Sequence, residues 1–160
     1  IFVIQLFIPL VVGAVAVGYT IYIGSDFEDE MMQEFEGIQR EAHSSGIPVI
    51  AWIYPRGGKV KNPVSRENMA YAARVGLEIG ADIAKINYGG KVADLKWAVK
   101  SAGRCKIVIA GGKSKGEKAL LKMVKEVMQA GGTGLAIGRN VWQASDPLKI
   151  TEKIKRIIWK

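Results

Sequence analysis

Ala81-Asp82-Ile83-Ala84-Lys85-Ile86-Asn87-Tyr88 is the stretch that decides the fold. Its apolar residues are typical of a strand that is covered on both faces in a parallel sheet, and Lys85 interrupts them. A lysine in such a strand is either desolvated or faces a cavity. Desolvation favours the neutral amine, which attacks carbonyl carbons. The alternative is a lysine whose stem packs while its ammonium group reaches water at the strand end. From this segment alone, both interpretations stand equal.

Four further apolar segments resemble this one, and helical patterns separate all of them. The alternation of strand, loop and helix predicts βαβ units and a parallel sheet. An open doubly wound sheet and a (β/α)8 barrel share this pattern, and a complete barrel needs ~250 residues. The five units in these 160 residues cannot close a barrel alone. The predicted strands are Ala14 to Tyr22, Pro48 to Tyr54, Asp82 to Tyr88, Lys106 to Ala110 and Gly134 to Ile137.

Helix boundaries are marked by capping residues. Ser25 with Glu28, and Ser114 with Glu117, predict two capping boxes. Further N-caps are expected at Ser65 and at Asp146, which precedes a proline. Helices are expected to stop at Gly80, Gly103 and Gly131.

Glycine-rich and basic residues follow the predicted strands. Gly111-Gly112-Lys113-Ser114 comes after the fourth strand and Gly138-Arg139-Asn140 after the fifth. Parallel α/β folds place their sites at this edge, and backbone N–H groups in such loops bind anions. We therefore expect a phosphate clamp that uses both loops together with Lys113 and Arg139. Taken singly, each Gly-Gly pair could also be an ordinary turn.

Trp52 and Tyr54 share one face of the second strand, because side chains alternate along a strand. Ile83, Lys85 and Asn87 share one face of the third strand for the same reason. If both faces point inward, a phenol that can exchange a proton lies near an amine. The alternative is a core tryptophan with a tyrosine that closes the strand end.

Composition limits the classes of partner. The net charge of +8 and the pI of about 9.6 suit a phosphorylated ligand, and no nucleic-acid-binding motif appears. His43 and Cys105 are single, so we expect no His/Cys zinc site, and a single cysteine fits a reducing, cytoplasmic location. Residues 1–13 are an atypical apolar segment, but a membrane span needs ~20 such residues, and we do not expect one.

These residues together resemble the archaeal-type class I fructose-bisphosphate aldolases, which belong to the DhnA-like aldolases. The similarity runs in register from about Ala16 to the C-terminus. The stretches that carry it are Ala16-Val17-Gly18-Tyr19-Thr20-Ile21-Tyr22-Ile23-Gly24-Ser25, Ala51-Trp52-Ile53-Tyr54-Pro55-Arg56-Gly57, Gly80-Ala81-Asp82-Ile83-Ala84-Lys85 and Ala136-Ile137-Gly138-Arg139-Asn140-Val141-Trp142-Gln143.

The resemblance implies a (β/α)8 barrel and a cleavage of fructose 1,6-bisphosphate that uses no metal and no cofactor, because the iminium itself serves as the electron sink. Lys85 would form the Schiff base, Tyr54 would transfer a proton and Trp52 would line the pocket. The substrate phosphate would lie on Gly111, Gly112, Gly138 and Arg139. Ala110 stands where the family usually has serine. There are two alternatives. One is a related sugar-phosphate aldolase or transaldolase, such as an aminodideoxyheptulosonate synthase, and the other is a truncated, non-catalytic chain that binds phosphate ligands.

The family carries three further βα units before the matched region, which this sequence does not contain. We expect residues 1–160 to form a single partial barrel domain. Open sheet edges attract further strands. We therefore expect the chain to be a poor catalyst alone or to associate with copies of itself.

Overall fold

In a computed structural model, residues 13–112 and 116–159 are described. Within them, five strands alternate with helices, as the sequence predicts. The strands are β1 (Val17–Ile23), β2 (Val49–Pro55), β3 (Ile83–Ile86), β4 (Lys106–Ala110) and β5 (Gly134–Ala136). The helices are α1 (Glu28–Ser44), α2 (Arg66–Glu78), α3 (Val92–Ser101), α4 (Glu117–Gln129), the short α5 (Arg139–Trp142) and α6 (Pro147–Ile158).

Strand order identifies the architecture. The described strands pair in parallel in the order β1-β2-β3-β4-β5, so every crossover moves one strand in the same direction. A doubly wound sheet instead reverses direction at a switch point, which puts helices on both faces. The sheet is therefore five consecutive units of a (β/α)8 barrel, as the resemblance implies.

The core lies between the sheet and the helices. One set of alternating strand residues is fully buried, while the other set is only partly covered. The buried set packs on Phe35 of α1, on Met69 of α2 and on Leu95 of α3. It includes Ile21, Ile23, Ala51, Ile53, Ala84, Ile86, Ile107 and Ile109. The other set forms what we call the open face of the sheet, defined by Thr20, Tyr22, Trp52, Tyr54, Lys85 and Val108.

Close backbone contact explains why Gly76 is needed inside α2. A Cβ atom there would lie 2.7 Å from the Cβ of Ala84 on β3. The missing side chain lets α2 approach the middle of the sheet, directly behind Lys85.

Several predicted helix ends are confirmed. Ser65 accepts a hydrogen bond from the N–H of Asn68, and Asp146 accepts one from the N–H of Lys149. Positive φ angles place glycines at the predicted stops after α2, α3 and α4. These stops are Gly80, Gly103 and Gly131.

Both predicted capping boxes are wrong. Helix α1 begins at Glu28 with Phe27 as N-cap, and the hydroxyl of Ser25 donates instead to the carbonyl of Tyr22, 2.7 Å away. Glu28 accepts from the N–H of Gly24, so both side chains close the turn after β1. The N-cap of α4 is Gly116. Ser114 lies outside the described residues.

Strand β3 is shorter than expected. It ends at Ile86, so Asn87 does not continue the alternation of Ile83 and Lys85. Chain direction changes after it through Gly89 and Gly90, and Gly90 has a φ of +88°. Asn87 thereby moves from the sheet to the loop that follows.

Across 13–112 and 116–159, none of the helices combines the length and the apolar character that crossing a membrane requires. The apolar segment Ile1 to Val12 lies outside the described residues, so its predicted role stays a prediction.

Candidate active site

Lys85 lies at the centre of the open face. It is the register partner of Trp52 on β2 and of Val108 on β4. Its Nζ is 5.3 Å from the centre of the Trp52 ring, within the range of a cation–π contact. The side chain is half-buried, and among the described residues no carboxylate forms an ion pair with it. Lys85 therefore lies on the partly covered face of the sheet and not in the core between the sheet and the helices.

Asp82 fixes the start of the strand that carries Lys85. Its carboxylate accepts a hydrogen bond from the N–H of Val49 at 2.8 Å, and its Oδ2 is 2.8 Å from Nε2 of His43. Burial alone would raise the pKa of Asp82, but these hydrogen bonds and the nearby imidazole together hold that pKa below its ordinary value. The carboxylate therefore ties β3 to β2 and α1 at the edge opposite the candidate site.

Tyr54 extends the open face toward the carboxyl edge of the sheet. Its ring stacks on that of Tyr22, its register partner on β1, with centroids 6.4 Å apart and planes inclined by 29°. Trp52 and Tyr54 share this face, as the alternation predicts. The phenol of Tyr54 thus lies one side-chain layer beyond Trp52 and Lys85.

Arg56 lies beside the stacked rings of Tyr22 and Tyr54, a position that the sequence pattern did not predict. Its guanidinium carbon lies 5.5 Å from the ring centre of Tyr22 and 5.9 Å from that of Tyr54. The spacing 52, 54, 56 was a usable signal, although Arg56 itself follows the end of β2. The arginine extends the same row of side chains past the strand.

The backbone around Arg56 is fastened to the turn after β1. The N–H of Arg56 donates to the carbonyl of Ile23 at 2.8 Å. Gly57 has a φ of +146°, and a Cβ atom there would lie 1.8 Å from the carbonyl oxygen of Gly24. Only glycine fits this contact, which fixes the direction in which the chain leaves β2.

The loops after β4 and β5 contact each other. The side-chain amide of Asn140 donates to the carbonyl of Gly111 at 3.1 Å and, at 3.5 Å, to that of Gly112. A Cβ atom on Gly111 would lie 2.6 Å from Cγ2 of Ile137, so the two loops pack too closely for a side chain there. Asn140 belongs to the second predicted loop, but the sequence pattern alone indicates no role for it.

The predicted phosphate-binding residues divide between two cavities. Gly111, Gly112 and Asn140 line one of about 530 Å³, together with the loop 87–90 and one face of α4. Arg139 lines the other, of about 350 Å³, which it shares with Asn140, Lys149 and Lys153. Neither wall includes Lys85, Trp52 or Tyr54, which lie on the open face. Gly138 is the N-cap of α5, and Lys113 lies outside the described residues.

Tyr88 and Glu126 form a polar pair on the wall of the larger cavity. The phenol donates to the carboxylate of Glu126 at 3.0 Å. Burial and the adjacent carboxylate raise the pKa of Tyr88 well above that of an ordinary phenol. Tyr88 therefore stays a neutral donor at physiological pH.

Throughout 13–112 and 116–159, His, Cys, Asp and Glu side chains form no group of three that could hold a metal ion.

The sequence of this chain is similar to known aldolases. Residues 8–144 match the DeoC/LacD family of aldolases. A class 1 fructose-bisphosphate aldolase from Thermoproteus tenax is 48% identical over 148 residues, which are 92% of this chain and 56% of that protein. The chain thus spans little more than half the length of the curated relatives it matches.

Solved structures agree. An archaeal fructose-1,6-bisphosphate aldolase, whose catalytic lysine is covalently bound to the carbinolamine intermediate of the substrate, superimposes with a TM-score of 0.91 at 45% identity, covering 95% of this chain and 61% of that one. A Schiff-base-forming fructose-1,6-bisphosphate aldolase gives a TM-score of 0.94 at 43% identity, covering 99% and 64%. On its fold and on the family match over most of its length, the chain belongs to the DeoC/LacD family of aldolases.

Proposed function

We propose that this chain carries the Schiff-base centre of a class I fructose-1,6-bisphosphate aldolase. The observation that carries the proposal is the position of Lys85, whose amine lies beside Trp52 on the open face of a partial (β/α)8 barrel. Support comes from the relatives, one of which has its catalytic lysine covalently bound to a substrate intermediate.

In the proposed reaction, the neutral amine of Lys85 attacks C2 of open-chain fructose 1,6-bisphosphate and forms a carbinolamine. Loss of water gives a protonated imine. The imine accepts the electron pair of the C3–C4 bond as that bond breaks, while the C4 hydroxyl loses its proton. Glyceraldehyde 3-phosphate leaves, and an enamine remains on Lys85. Protonation at C3 and addition of water then release dihydroxyacetone phosphate and restore the amine.

Tyr54 is the proposed proton-transfer group. Its side chain lies one layer beyond Lys85 on the same face, where the phenolate form would accept the C4 hydroxyl proton and the resulting phenol would return a proton to C3. The ring of Trp52 flanks Lys85 and limits access of water to the imine. These roles need only short movements of a bound substrate, since all three side chains share the open face.

Phosphate binding is proposed for the two loops after β4 and β5. Gly111 and Gly112 bring backbone close to a ligand, and Gly138 opens a short helix that Arg139 begins. The N–H groups of Gly111 and Gly112 would hold the phosphate on C1 and so position C2 over the amine, and Arg139 would reach the same phosphate from the neighbouring cavity, which shares Asn140 with the first. Lys113 would join them from the loop after Gly112.

The proposal also covers the domain organisation, the oligomeric state and the cellular location. We infer one partial barrel domain over residues 1–160 that forms a homo-oligomer, with a phosphorylated sugar as substrate. Trp142, Leu148 and Trp159 are large apolar side chains that are at least 67% exposed, which supports association through α5 and α6. Cys105 is a buried free thiol whose pKa burial raises to about 11, which fits the reducing cytoplasm.

Product analysis tests the activity. Incubation with fructose 1,6-bisphosphate should release dihydroxyacetone phosphate and glyceraldehyde 3-phosphate in equal amounts. Lys85→Met should abolish release while the chain still binds the sugar phosphate. Equal release by Lys85→Met and the unmodified chain would contradict the Schiff-base mechanism. Faster synthesis with an unrelated aldehyde would favour another sugar-phosphate aldolase, and binding without release would favour a non-catalytic binding chain.

A further inference from the structure

Asn140 connects the loop after β5 to the glycine loop after β4. Its side-chain amide donates to the carbonyl of Gly111 at 3.1 Å and, more weakly, to that of Gly112 at 3.5 Å. Of the residues that line the two cavities, Asn140 alone lines both. Its side chain therefore forms the partition between them and controls the backbone of the first loop.

The turn that carries Asn140 is held by the protein core. Helix α5 begins after Gly138, whose carbonyl accepts a hydrogen bond from the N–H of Val141 at 2.7 Å. Val141 packs against the apolar cluster that joins α4 to α6. The cluster consists of Leu120, Val124, Ile150 and Ile154. Asn140 thus projects from a fixed support toward the glycine loop.

Gly111 leaves the space that the Asn140 amide needs. A Cβ atom on Gly111 would lie 3.0 Å from Nδ2 of Asn140, tighter than most contacts of real Cβ atoms. A side chain at position 111 would therefore displace the amide from the two carbonyls. The glycine and the asparagine act as a pair.

The bond to the Gly111 carbonyl also sets the direction of the next N–H group. The carbonyl of Gly111 and the N–H of Gly112 belong to one planar trans peptide unit, so they point in opposite directions. Because the carbonyl points at Asn140, the N–H points away from α5. No carbonyl among the described residues accepts a hydrogen bond from this N–H. It is a directed donor that an anion can use.

Glycine on both sides gives this peptide unit the freedom to turn over, since neither residue has a Cβ atom that restricts it. Gly112 has a φ of +61°, the left-handed conformation found in the backbone nests that bind anions. After a turnover of the unit, the carbonyl oxygen of Gly111 would point where the N–H of Gly112 now points. A phosphate would then meet a partial negative charge instead of a donor.

From this geometry we propose that Asn140 is a positioning residue, which holds the peptide between Gly111 and Gly112 with its N–H toward the substrate phosphate. Asn140 acts through this peptide and need not contact the phosphate itself. The inference rests on the proposed function, because it requires that the glycine loop binds the phosphate of a ketone held on Lys85.

Reductive trapping of Lys85 with two ketones separates phosphate binding from imine formation. Dihydroxyacetone phosphate and dihydroxyacetone carry the same carbonyl group, but only the first has a phosphate. The full chain is incubated with cyanoborohydride and increasing concentrations of either ketone, and labelling of Lys85 is followed by peptide mass spectrometry. The ratio of the two half-maximal concentrations measures what the phosphate contributes to binding.

Asn140→Ala should raise the half-maximal concentration of dihydroxyacetone phosphate about 10-fold, because it weakens a hydrogen bond to a charged group. The half-maximal concentration of dihydroxyacetone should stay unchanged. Asn140→Gln keeps the amide on a side chain that is one methylene longer, and it should recover part of the loss. A role in folding alone would affect both ketones equally, so the ratio distinguishes positioning from stability.

Asn68→Ala is the matched control. The side-chain amide of Asn68 also donates to a backbone carbonyl, that of Asn62 at 2.7 Å, but this bond joins α2 to the loop before it. The same substitution there should leave the ratio unchanged, and circular dichroism should show that all variants are folded.

Two results would overturn the role of Asn140: an unchanged ratio in Asn140→Ala, or an equal rise for both ketones. Labelling of Lys85 in the unmodified chain without any advantage of the phosphate would also overturn this role, while the Schiff-base centre would stand. Absence of Lys85 labelling by either ketone would contradict the proposed function itself.

Discussion

Removal of the Asp82 charge should weaken the anchor that sets the register of Lys85 against Trp52. Asp82→Asn retains the shape of the side chain and one oxygen that can accept from the N–H of Val49. It loses the charge that strengthens this bond and the contact with His43, each at 2.8 Å in the structure. Hydrogen bonds to charged groups contribute about 1.5–3 kcal/mol. Because the side chain of Asp82 is 43% exposed, solvent screening reduces the expected loss to about 1 kcal/mol.

The loss should depend on pH, with a sign that follows from the pKa. The folded-state pKa of Asp82 is lower than its ordinary value, so the stabilisation is fully present above the unfolded pKa. The stabilisation disappears as pH falls through the folded-state pKa, because the Asp82 carboxyl group is then protonated in both the folded and the unfolded state. The difference in unfolding free energy between the unmodified chain and Asp82→Asn should thus be largest near pH 6 and shrink from about pH 4 downward.

Urea unfolding followed by circular dichroism at several pH values measures this difference. Glu36→Gln is the control, because Glu36 forms an ion pair with Arg40 in which both side chains are at least 70% exposed, and such pairs contribute little. Equal stability of the Asp82→Asn and Glu36→Gln variants at pH 6 would contradict this role of Asp82. So would a loss for Asp82→Asn that is the same at pH 3 and pH 6.

Two further substitutions test the site and its loop. Tyr54→Phe should lower turnover of fructose 1,6-bisphosphate at least about 100-fold, since general acid–base groups contribute about 10²–10⁴-fold to the rate. Borohydride labelling of Lys85 should stay intact in this variant. Tyr22→Phe is the control, and equal turnover in the two variants would contradict the role of Tyr54. Gly57→Ala should destabilise the chain by at least about 1–2 kcal/mol in thermal or urea unfolding, because its φ is positive and its Cβ would meet the carbonyl oxygen of Gly24. Gly58→Ala, with open space around its Cβ, should lie within about 0.5 kcal/mol of the unmodified chain, and equal stability of the two variants would contradict the packing of this turn.

Local sequence patterns predicted the strand faces and helix caps, which depend only on residues close by along the chain. Strand alternation correctly grouped Trp52 with Tyr54 and put Lys85 on a face shared with Ile83, because side-chain direction in a strand follows from position alone. The caps at Ser65 and Asp146 were predictable for the same reason, since each side chain bonds a backbone N–H three residues away. Resemblance to a known family then decided between the barrel and the doubly wound sheet.

Contacts between distant segments were not predictable from these patterns. Ser25 does not cap α1, because its hydroxyl donates to the carbonyl of Tyr22 in the turn after β1. Asn87 lies outside β3, which ends at Ile86 before the glycine loop. Arg56 and Asn140 entered the site through contacts with residues about 30 positions away, Tyr22 and Gly111. The assignment of Lys113 to phosphate stays a prediction.

Reductive trapping with dihydroxyacetone phosphate shows directly whether the amine of Lys85 forms an imine. The chain is reduced with borohydride in the presence of the ketone and digested, and the modified lysine is located by mass spectrometry. One adduct is expected, on Lys85. It should disappear in Lys85→Met and persist in Lys106→Met, because Lys106 lies at the opposite edge of the sheet. A folded chain without an adduct, or with adducts spread over surface lysines, would contradict it.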